Sequence, residues 1–230
     1  MTSTKPENLY HVIFTISHLQ RDPTSEIEKV RIPGTYISLA QAKAAAHSCL
    51  FDAGYEKEWF STYETQPERL ESLAGTQGTG LAVFAVATDG TIFRVRVVTT
   101  PNVPQLTTDL DDGRIRLDLY HVVQSTHKYD SKGDVARDMN IQGTFETYAQ
   151  ARNFATSVLL SEQDGLTKES YVDYNEAGPN DRDCGYGENV IVYATGSGGQ
   201  NYLVSVIKSQ ELESVRLAEA SMRIKWTESV

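Results

Sequence analysis

The strongest constraint on this chain is that its sequence contains two similar copies of one unit. Leu9-Tyr10-His11-Val12 recurs as Leu119-Tyr120-His121-Val122, and Gly34-Thr35-Tyr36 recurs as Gly143-Thr144-Phe145 after the loss of one residue in between. The register continues through three further pairs: Ala40-Gln41-Ala42 with Ala149-Gln150-Ala151, Phe93-Arg94-Val95 with Tyr202-Leu203-Val204, and Arg114-Ile115-Arg116 with Arg223-Ile224-Lys225. Two copies of this size favour one pseudo-symmetric body over a solenoid, which needs three or more short repeats.

The apolar pattern predicts the same order of elements, β-β-α-β-β, in each copy. The first strand, for example, alternates Tyr10, Val12 and Phe14 with the residues between them, which is the period of a strand. We therefore expect an α+β fold, in which two tandem β-β-α-β-β repeats are related by pseudo-twofold symmetry. Each repeat should contribute an antiparallel sheet and one long helix. The repeats span residues 9–118 and 119–227, and we expect one cooperative body.

Several segments fall outside this simple pattern. Val98–Gly113 contains two prolines and three aspartates, so it is the predicted linker between the repeats. Arg114–Asp118 and Arg223–Thr227 are each interpreted as an additional strand. The tyrosine-rich stretches 56–64 and 167–176 stay unassigned, because their pattern fits neither the helical nor the strand period.

The predicted helix of each copy starts with the same signal. Ser38-x-x-Gln41 and Thr147-x-x-Gln150 match a capping box, in which the hydroxyl accepts from a helical amide and the glutamine bonds back to the cap residue's own amide. We expect both reciprocal pairs to form.

Glycines mark the turns and one close approach in each copy. Asp89-Gly90 and Gly198-Gly199 lie between apolar runs and favour tight hairpin turns with positive φ. Gly34 and Gly143 fall inside predicted strands, where a glycine usually marks a bulge or a close approach of the backbone.

Composition excludes several classes of function. The chain has 21 basic and 31 acidic residues and a net charge of −10, which disfavours binding to nucleic acid or to anionic membranes. Its first residues lack the apolar core of a signal peptide, and no apolar run approaches the length of a membrane span. We therefore expect a soluble, cytoplasmic protein whose two cysteines, Cys49 and Cys184, are free thiols.

Standard catalytic and cofactor motifs are missing from the sequence. It contains no Walker A loop, no dinucleotide-binding fingerprint, no His-Glu-x-x-His and no Gly-x-Ser-x-Gly. The acidic loop Asp181–Glu188 has glycine and tyrosine at the fifth and sixth positions, which does not fit a calcium loop. We expect no bound metal and no cofactor, and whether the chain is an enzyme stays open.

The candidate ligand-binding residues are His11, Arg94, Arg96 and His121. If the helices cover one face of the sheets, strand alternation places these four side chains on the other face. Arginines could hold an anion there while a histidine transfers a proton. The alternative is that these are polar residues of an open sheet face, retained for packing alone.

Tyrosines and a tryptophan offer a second kind of site. Together they could line a groove that stacks against a sugar or an aromatic ligand; the alternative is that they are half-buried strand residues. The residues concerned are Tyr36, Trp59, Tyr63, Tyr174, Tyr186 and Tyr193.

The repeated Leu-Tyr-His-Val, Gly-Thr-Tyr/Phe and Ala-Gln-Ala stretches resemble those of uncharacterised tandem-repeat proteins of filamentous fungi. The resemblance implies no activity, no cofactor and no catalytic residue. The leading hypothesis is a non-catalytic binding or scaffold protein, whose partner is another protein or a second copy, with strands such as Met222–Trp226 pairing across a homodimer. The alternative is an enzyme or carrier for a small anionic or aromatic molecule held in a cleft between the repeats.

Overall fold

The structure is a computed structural model that describes residues 6–17, 29–74, 80–129 and 135–210. These residues form two compact units. The first unit contains the described residues of Met1–Gly75, Thr79–Arg116 and Ser209–Val230, and the second contains those of Leu117–Lys208. The predicted strands at Met222–Trp226 and Arg223–Thr227 lie outside the described residues.

The first unit is an antiparallel five-stranded sheet with helices, and its strand order is β2-β1-β5-β4-β3. Its elements in chain order are β1 (Asn8–Ser17), β2 (Lys29–Tyr36), α1 (Leu39–Asp52), β3 (Phe60–Glu64), α2 (Pro67–Ala74), β4 (Leu81–Ala87) and β5 (Ile92–Pro101).

The second unit repeats this connectivity, with strand order β7-β6-β10-β9-β8. Its elements are β6 (Tyr120–Tyr129), β7 (Val135–Phe145), α3 (Tyr148–Ala155), β8 (Asp173–Glu176), β9 (Val190–Thr195) and β10 (Asn201–Lys208). The chain is thus α+β, with one antiparallel sheet of five strands in each unit.

The expected β-β-α-β-β order lacks one strand of each unit. The unassigned tyrosine-rich stretches contain β3 and β8, which pair with β4 and β9 as the outermost strands of their sheets. Both are short and largely polar, with the sequences FSTYE and DYNE. Short polar edge strands discourage pairing with other chains, and the same composition hides them from a search for alternating apolar residues.

The helix after the second strand packs on one face of each sheet. Ala42 and Ala46 of α1 are fully buried in one core with Val12, Phe14 and Val95. In the second unit, Ala151 and Ala155 of α3 are buried with strand residues that include Val122 and Val204. The small alanine side chains let the helix axis approach the sheet closely.

The two helices differ in length, so the expectation of one long helix per repeat is not met. Helix α1 has 14 residues, whereas α3 has 8 and is followed by turns. The hydroxyls of Thr156 and Ser157 donate to the carbonyls of Asn153 and Phe154 at 2.9 and 2.8 Å. Both hydroxyls lie in the turns that follow the last residue of α3.

The capping prediction is confirmed in part at α3 and is wrong at α1. At α3 the hydroxyl of Thr147 accepts from the helical amide as predicted, but Gln150 bonds to that hydroxyl rather than to the amide of Thr147. The Thr147 hydroxyl accepts from the amide of Gln150 at 3.3 Å, and it donates to Oε1 of Gln150 at 2.9 Å. Ser38 makes no such bond with its side chain. Its predicted partner Gln41 instead donates from Nε2 to the carbonyl of Asp111, because the linker of the first unit passes beside the start of α1.

Gly34 and Gly143 lie where an aromatic ring folds back over the strand. A Cβ added at Gly34 would lie 2.7 Å from the ring of Tyr36, and one at Gly143 would lie 2.8 Å from the ring of Phe145. Both distances are too short for real carbon contacts, so each strand needs glycine at this position. The prediction of a close approach is confirmed.

The hairpins are also as predicted. Strands β4 and β5 pair, as do β9 and β10, and the turn residues Gly90 and Gly199 have φ of 83° and 77°.

The linker begins later than predicted, because strand β5 extends through Pro101. Asn102 then organises the linker, since its side chain bonds with both backbone groups of Leu106 at 2.8 and 2.9 Å.

Two segments of the chain bond to the outer edge of β2. The amide of Ile115 donates to the carbonyl of Thr35 at 2.8 Å, and the amide of Ile37 donates to the carbonyl of Gly113 at 2.9 Å. The predicted extra strand is thus reduced to a single bridge between Arg114 and Tyr36. Farther along β2, the amide of Gln210 donates to the carbonyl of Ile32 at 3.0 Å.

Among the residues that the structure describes, no helix is long and apolar enough to cross a membrane.

Candidate functional site

His11 is held at both ring nitrogens by threonine hydroxyls. It lies on β1 opposite Thr35 of β2, and its Nδ1 is 3.0 Å from Oγ1 of Thr35. Its Nε2 is 2.8 Å from Oγ1 of Thr100, near the end of β5. A neutral imidazole has one donor and one acceptor nitrogen, and a hydroxyl can play either role. The two threonines therefore satisfy the neutral ring completely.

The imidazole of His11 is fully buried, with 0% of its surface exposed. Burial lowers the pKa of His11 from its ordinary value of 6.5 to about 3, because the charged form loses its hydration. The sequence placed this residue on an open sheet face, and the structure corrects that interpretation: the face is closed to solvent at His11. A ring that is neutral, enclosed and doubly bonded is poorly suited to transferring protons to a ligand.

His121 occupies the equivalent position of the second unit with the equivalent partner. It is also fully buried, it lies opposite Thr144 across β6 and β7, and its Nδ1 is 3.1 Å from Oγ1 of that threonine. The duplicated feature is therefore a histidine–threonine pair across the first two strands of each sheet.

Arg94 and Arg96 share one face of the first sheet with His11. Strand β5 pairs with β1 so that Arg96 lies opposite Ile13 and Arg94 lies opposite Thr15. Arg96 is buried, with 6% exposed. Arg94 is half-buried, and its guanidinium lies 5.6 Å from the centre of the Phe84 ring, within the range of a cation–π interaction.

The structure thus places three of the four candidate residues on one surface of the first unit, and His121 on the corresponding strand of the second unit. The two arginines have no counterpart there, since Leu203 and Ser205 stand at the equivalent positions of β10. Equivalent faces of the two sheets therefore differ in charge at these two positions.

Neither cysteine has the character of an activated nucleophile. Both are free thiols. Burial in α1 raises the pKa of Cys49 to about 12, and partial burial, the largest of several influences, raises the pKa of Cys184. Reactive cysteines are instead partly exposed with a lowered pKa, so we assign both thiols to packing.

The aromatic candidates fall into separate clusters rather than one groove. Trp59 contacts Tyr55 edge to face, and Tyr63 stacks on Phe51, all within the first unit. In the second unit, Tyr174 packs in the core cluster under α3. The alternative interpretation, half-buried strand and core residues, describes these side chains better than a ligand groove.

Tyr186 and Tyr193 form a distinct pair. Their rings are stacked, with centres 3.8 Å apart and planes inclined by 1°. The hydroxyl of Tyr186 accepts from Nδ2 of Asn175 at 3.2 Å and lies 3.4 Å from Oδ2 of Asp173. This pair fastens the loop before β9 onto the edge strand β8.

In the described part of the chain, no group of three or more His, Cys, Asp or Glu side chains is arranged to hold a metal ion.

Sequence reasoning missed the threonine partners of the histidines. Thr35 and Thr144 belong to the repeated Gly-Thr-Tyr/Phe stretch, so their equivalence was visible. Their role was not, because it depends on the strand register that brings each opposite a histidine. The signal that could have found them is the recurrence of a polar residue at equivalent positions of two adjacent predicted strands in both copies.

Comparisons with protein-family models, with curated proteins and with solved structures found no match to this chain. The resemblance to fungal tandem-repeat proteins therefore stays a prediction.

Proposed function

We propose that this chain is a non-catalytic binding or scaffold protein whose partner is another protein. The observation that carries the proposal is the enclosure of His11, the best candidate for proton transfer, by Thr35 and Thr100. The recurrence of the pair as His121 and Thr144 supports a role in joining neighbouring strands within each sheet. A catalytic role would require the imidazole to meet a substrate.

The second candidate function is an enzyme or carrier for a small anionic molecule, and one observation favours it. Arg94 and Arg96 lie on one face of the first sheet, in a chain of net charge −10. Guanidinium groups are the preferred partners of carboxylate and phosphate. The two candidates differ in what the arginines do: they bind a ligand in the second and take part in packing in the first.

A thermal-shift screen with a library of anionic metabolites tests between them. A bound ligand at one hundred times its dissociation constant stabilises the folded state by about 2.7 kcal/mol, which gives a clear rise in melting temperature. The decisive variant is the double substitution Arg94→Leu with Arg96→Ser. It installs the residues that the second unit carries at these positions, so the same strand arrangement accommodates them.

The matched control is Arg116→Leu with Arg182→Leu, which removes two exposed guanidinium groups. A non-catalytic protein-binding chain should show no stabilisation that depends on Arg94 and Arg96. A metabolite that stabilises the natural chain and the control, but not the Arg94 and Arg96 variant, would overturn our proposal in favour of a carrier or an enzyme.

A further inference from the structure

The second sheet carries a group of polar side chains on the face opposite α3. Asp173, Thr195 and Asn201 lie at paired positions of β8, β9 and β10, and the hydroxyl of Thr195 donates to Oδ1 of Asn201 at 3.1 Å. Asn175 and Tyr193 form the next pair on this face of β8 and β9. Directly opposed residues of antiparallel strands, and alternate residues of one strand, share a face. These five side chains therefore line one continuous surface.

Tyr186 adds an exposed aromatic ring to this surface. It is stacked on Tyr193 with ring centres 3.8 Å apart, and it is 39% exposed. Since Tyr193 covers one side of the ring, the exposed area belongs to the other side and to the edges. Nδ2 of Asn175 lies 3.2 Å from the Tyr186 hydroxyl and donates to Oδ1 of Asp173 at 2.9 Å. An open ring thus lies beside a carboxylate and an amide that hold each other in place.

The first sheet shows that the fold does not require these polar groups. Thr195 and Asn201 correspond to Val86 and Ile92, which pair at the same place in the β4–β5 hairpin, and the two sheets have the same strand order. Side chains needed for packing recur in both copies, as the buried histidines do. The polar groups found in the second copy alone are therefore candidates for contact with a ligand.

The chain before β9 has also diverged. The first unit has helix α2 between its strands β3 and β4, whereas turns and bends connect β8 to β9. Gly185 and Gly187, the two neighbours of Tyr186, have φ of 89° and 136°, which residues with a Cβ rarely adopt. These two glycines let the loop fold so that the ring of Tyr186 lies on Tyr193.

We propose that Asp173, Asn175 and Tyr186 form a binding site for a neutral saccharide. The C–H groups on one side of a sugar ring pack on the face of an aromatic ring, which carries partial negative charge. Sugar hydroxyls both donate and accept hydrogen bonds. The Asp173 carboxylate can accept about four such bonds, of which Asn175 and Tyr186 take two, and the Asn175 amide both donates and accepts.

Charge and ring geometry argue against the other ligand classes. The same loop contains Asp181, Asp183 and Glu188 with one arginine, so the local potential repels an anion. Aromatic sites for cations surround the charge with several rings. The rings of Tyr186 and Tyr193 are inclined by only 1°, and a parallel stack presents a single open face.

The test is NMR titration of the full chain, labelled with ¹⁵N, with the methyl glycosides of glucose, galactose, mannose and N-acetylglucosamine. At least one should cause saturable changes at the amides of Tyr186 and Asn175. With one exposed ring and few hydrogen bonds, we expect a dissociation constant on the order of 1 mM. No saturable change with any of the four glycosides would overturn the proposal, as would saturable changes with choline or glucose 6-phosphate alone.

Asp173→Ala is the decisive variant, and it alters an exposed residue of an edge strand. It should weaken binding by at least roughly tenfold, because it removes a charged acceptor. Thr62→Ala is the matched control, since Thr62 is the exposed residue at the equivalent position of β3, and it should leave the affinity unchanged. Unchanged amide signals in the first sheet check that each variant is folded. Equal affinities of the two variants would contradict the proposal.

A second pair of variants tests the aromatic face. Tyr186→Phe keeps the ring and removes the hydroxyl, whereas Tyr186→Leu removes the ring. The phenylalanine variant should bind the glycoside at least roughly fivefold more tightly than the leucine variant, because only it retains the stacking surface. Equal affinities would show that the ring does not contact the sugar. The site belongs to the second unit, whereas the proposed function rests on His11 of the first, so the two proposals can fail separately.

Discussion

At the scale of single residues, strand alternation predicted which side chains share a face but not whether that face meets water. His11 was placed opposite the helix-covered face correctly, and its equivalence with His121 was plain from the repeat. Its complete burial and its bonds to Thr35 and Thr100 depend on which elements cover the sheet. Periodicity along one strand carries no such information.

The buried imidazole predicts a specific dependence of stability on pH. Folded His11 excludes the proton because its pKa is about 3, whereas unfolded His11 binds it near pH 6.5. The contribution of the neutral ring is fully present above pH 6.5 and decreases by about 1.4 kcal/mol per pH unit as the pH falls toward 3. His11→Gln removes this term. The difference in the free energy of unfolding between the natural chain and the His11→Gln variant should therefore decrease by about 2 kcal/mol from pH 7 to pH 5. Urea unfolding at both pH values measures this difference.

The control for this experiment is His47→Gln, which removes an exposed imidazole from α1. A destabilisation by His11→Gln that stays constant from pH 7 to pH 5 would show that the folded protein accommodates a charged ring at position 11.

At the scale of elements, the sequence predicted those with strong periodicity or explicit turn residues. The β4–β5 and β9–β10 hairpins and the first residues of α1 and α3 are as expected, although the predicted cap at α1 does not form. It missed β3 and β8, because their residues are mostly polar and their pairing is decided by the adjacent strand. It also overestimated the length of α3, which ends at Ala155.

The two helix starts provide a matched prediction. Thr147→Ala removes an observed bond to the Gln150 amide and should lower the free energy of unfolding by about 0.5 to 2 kcal/mol. The lower part of this range is expected because the site is exposed. Ser38→Ala removes no side-chain cap and should leave the free energy of unfolding within about 0.5 kcal/mol of the natural value. Urea unfolding of both variants tests the difference, and equal losses would contradict it.

At the scale of the whole molecule, the duplication predicted two similar halves, and the described chain contains two five-stranded sheets of identical strand order. The repeat boundary did not reveal that Ser209 and Gln210 group with the first unit. The position of Gln210 in the first unit is marked by a long-range bond from its amide to the carbonyl of Ile32. An alignment of the two copies with each other cannot show such a bond.

We predict a single cooperative unfolding transition. Segments of the first unit precede and follow the second unit in the chain, so loss of the first unit also frees both ends of the second. Calorimetry should give a van't Hoff enthalpy equal to the calorimetric enthalpy, and Thr147→Ala should shift the whole transition. Two separated peaks, of which only one responds to that substitution, would show that the units unfold independently.

The bond between Gln210 and β2 has a consequence for synthesis on the ribosome. Arg31 donates to Oε1 of Gln210, and these residues are 179 positions apart. At the usual rates of translation, about 10 to 40 s pass between the appearance of one partner and the other. During that interval the nascent chain has no Gln210 with which to cover this stretch of β2. A ribosome-bound chain from which the whole first sheet has emerged, but which ends before Gln210, should therefore be more susceptible to protease near β2 than the released protein.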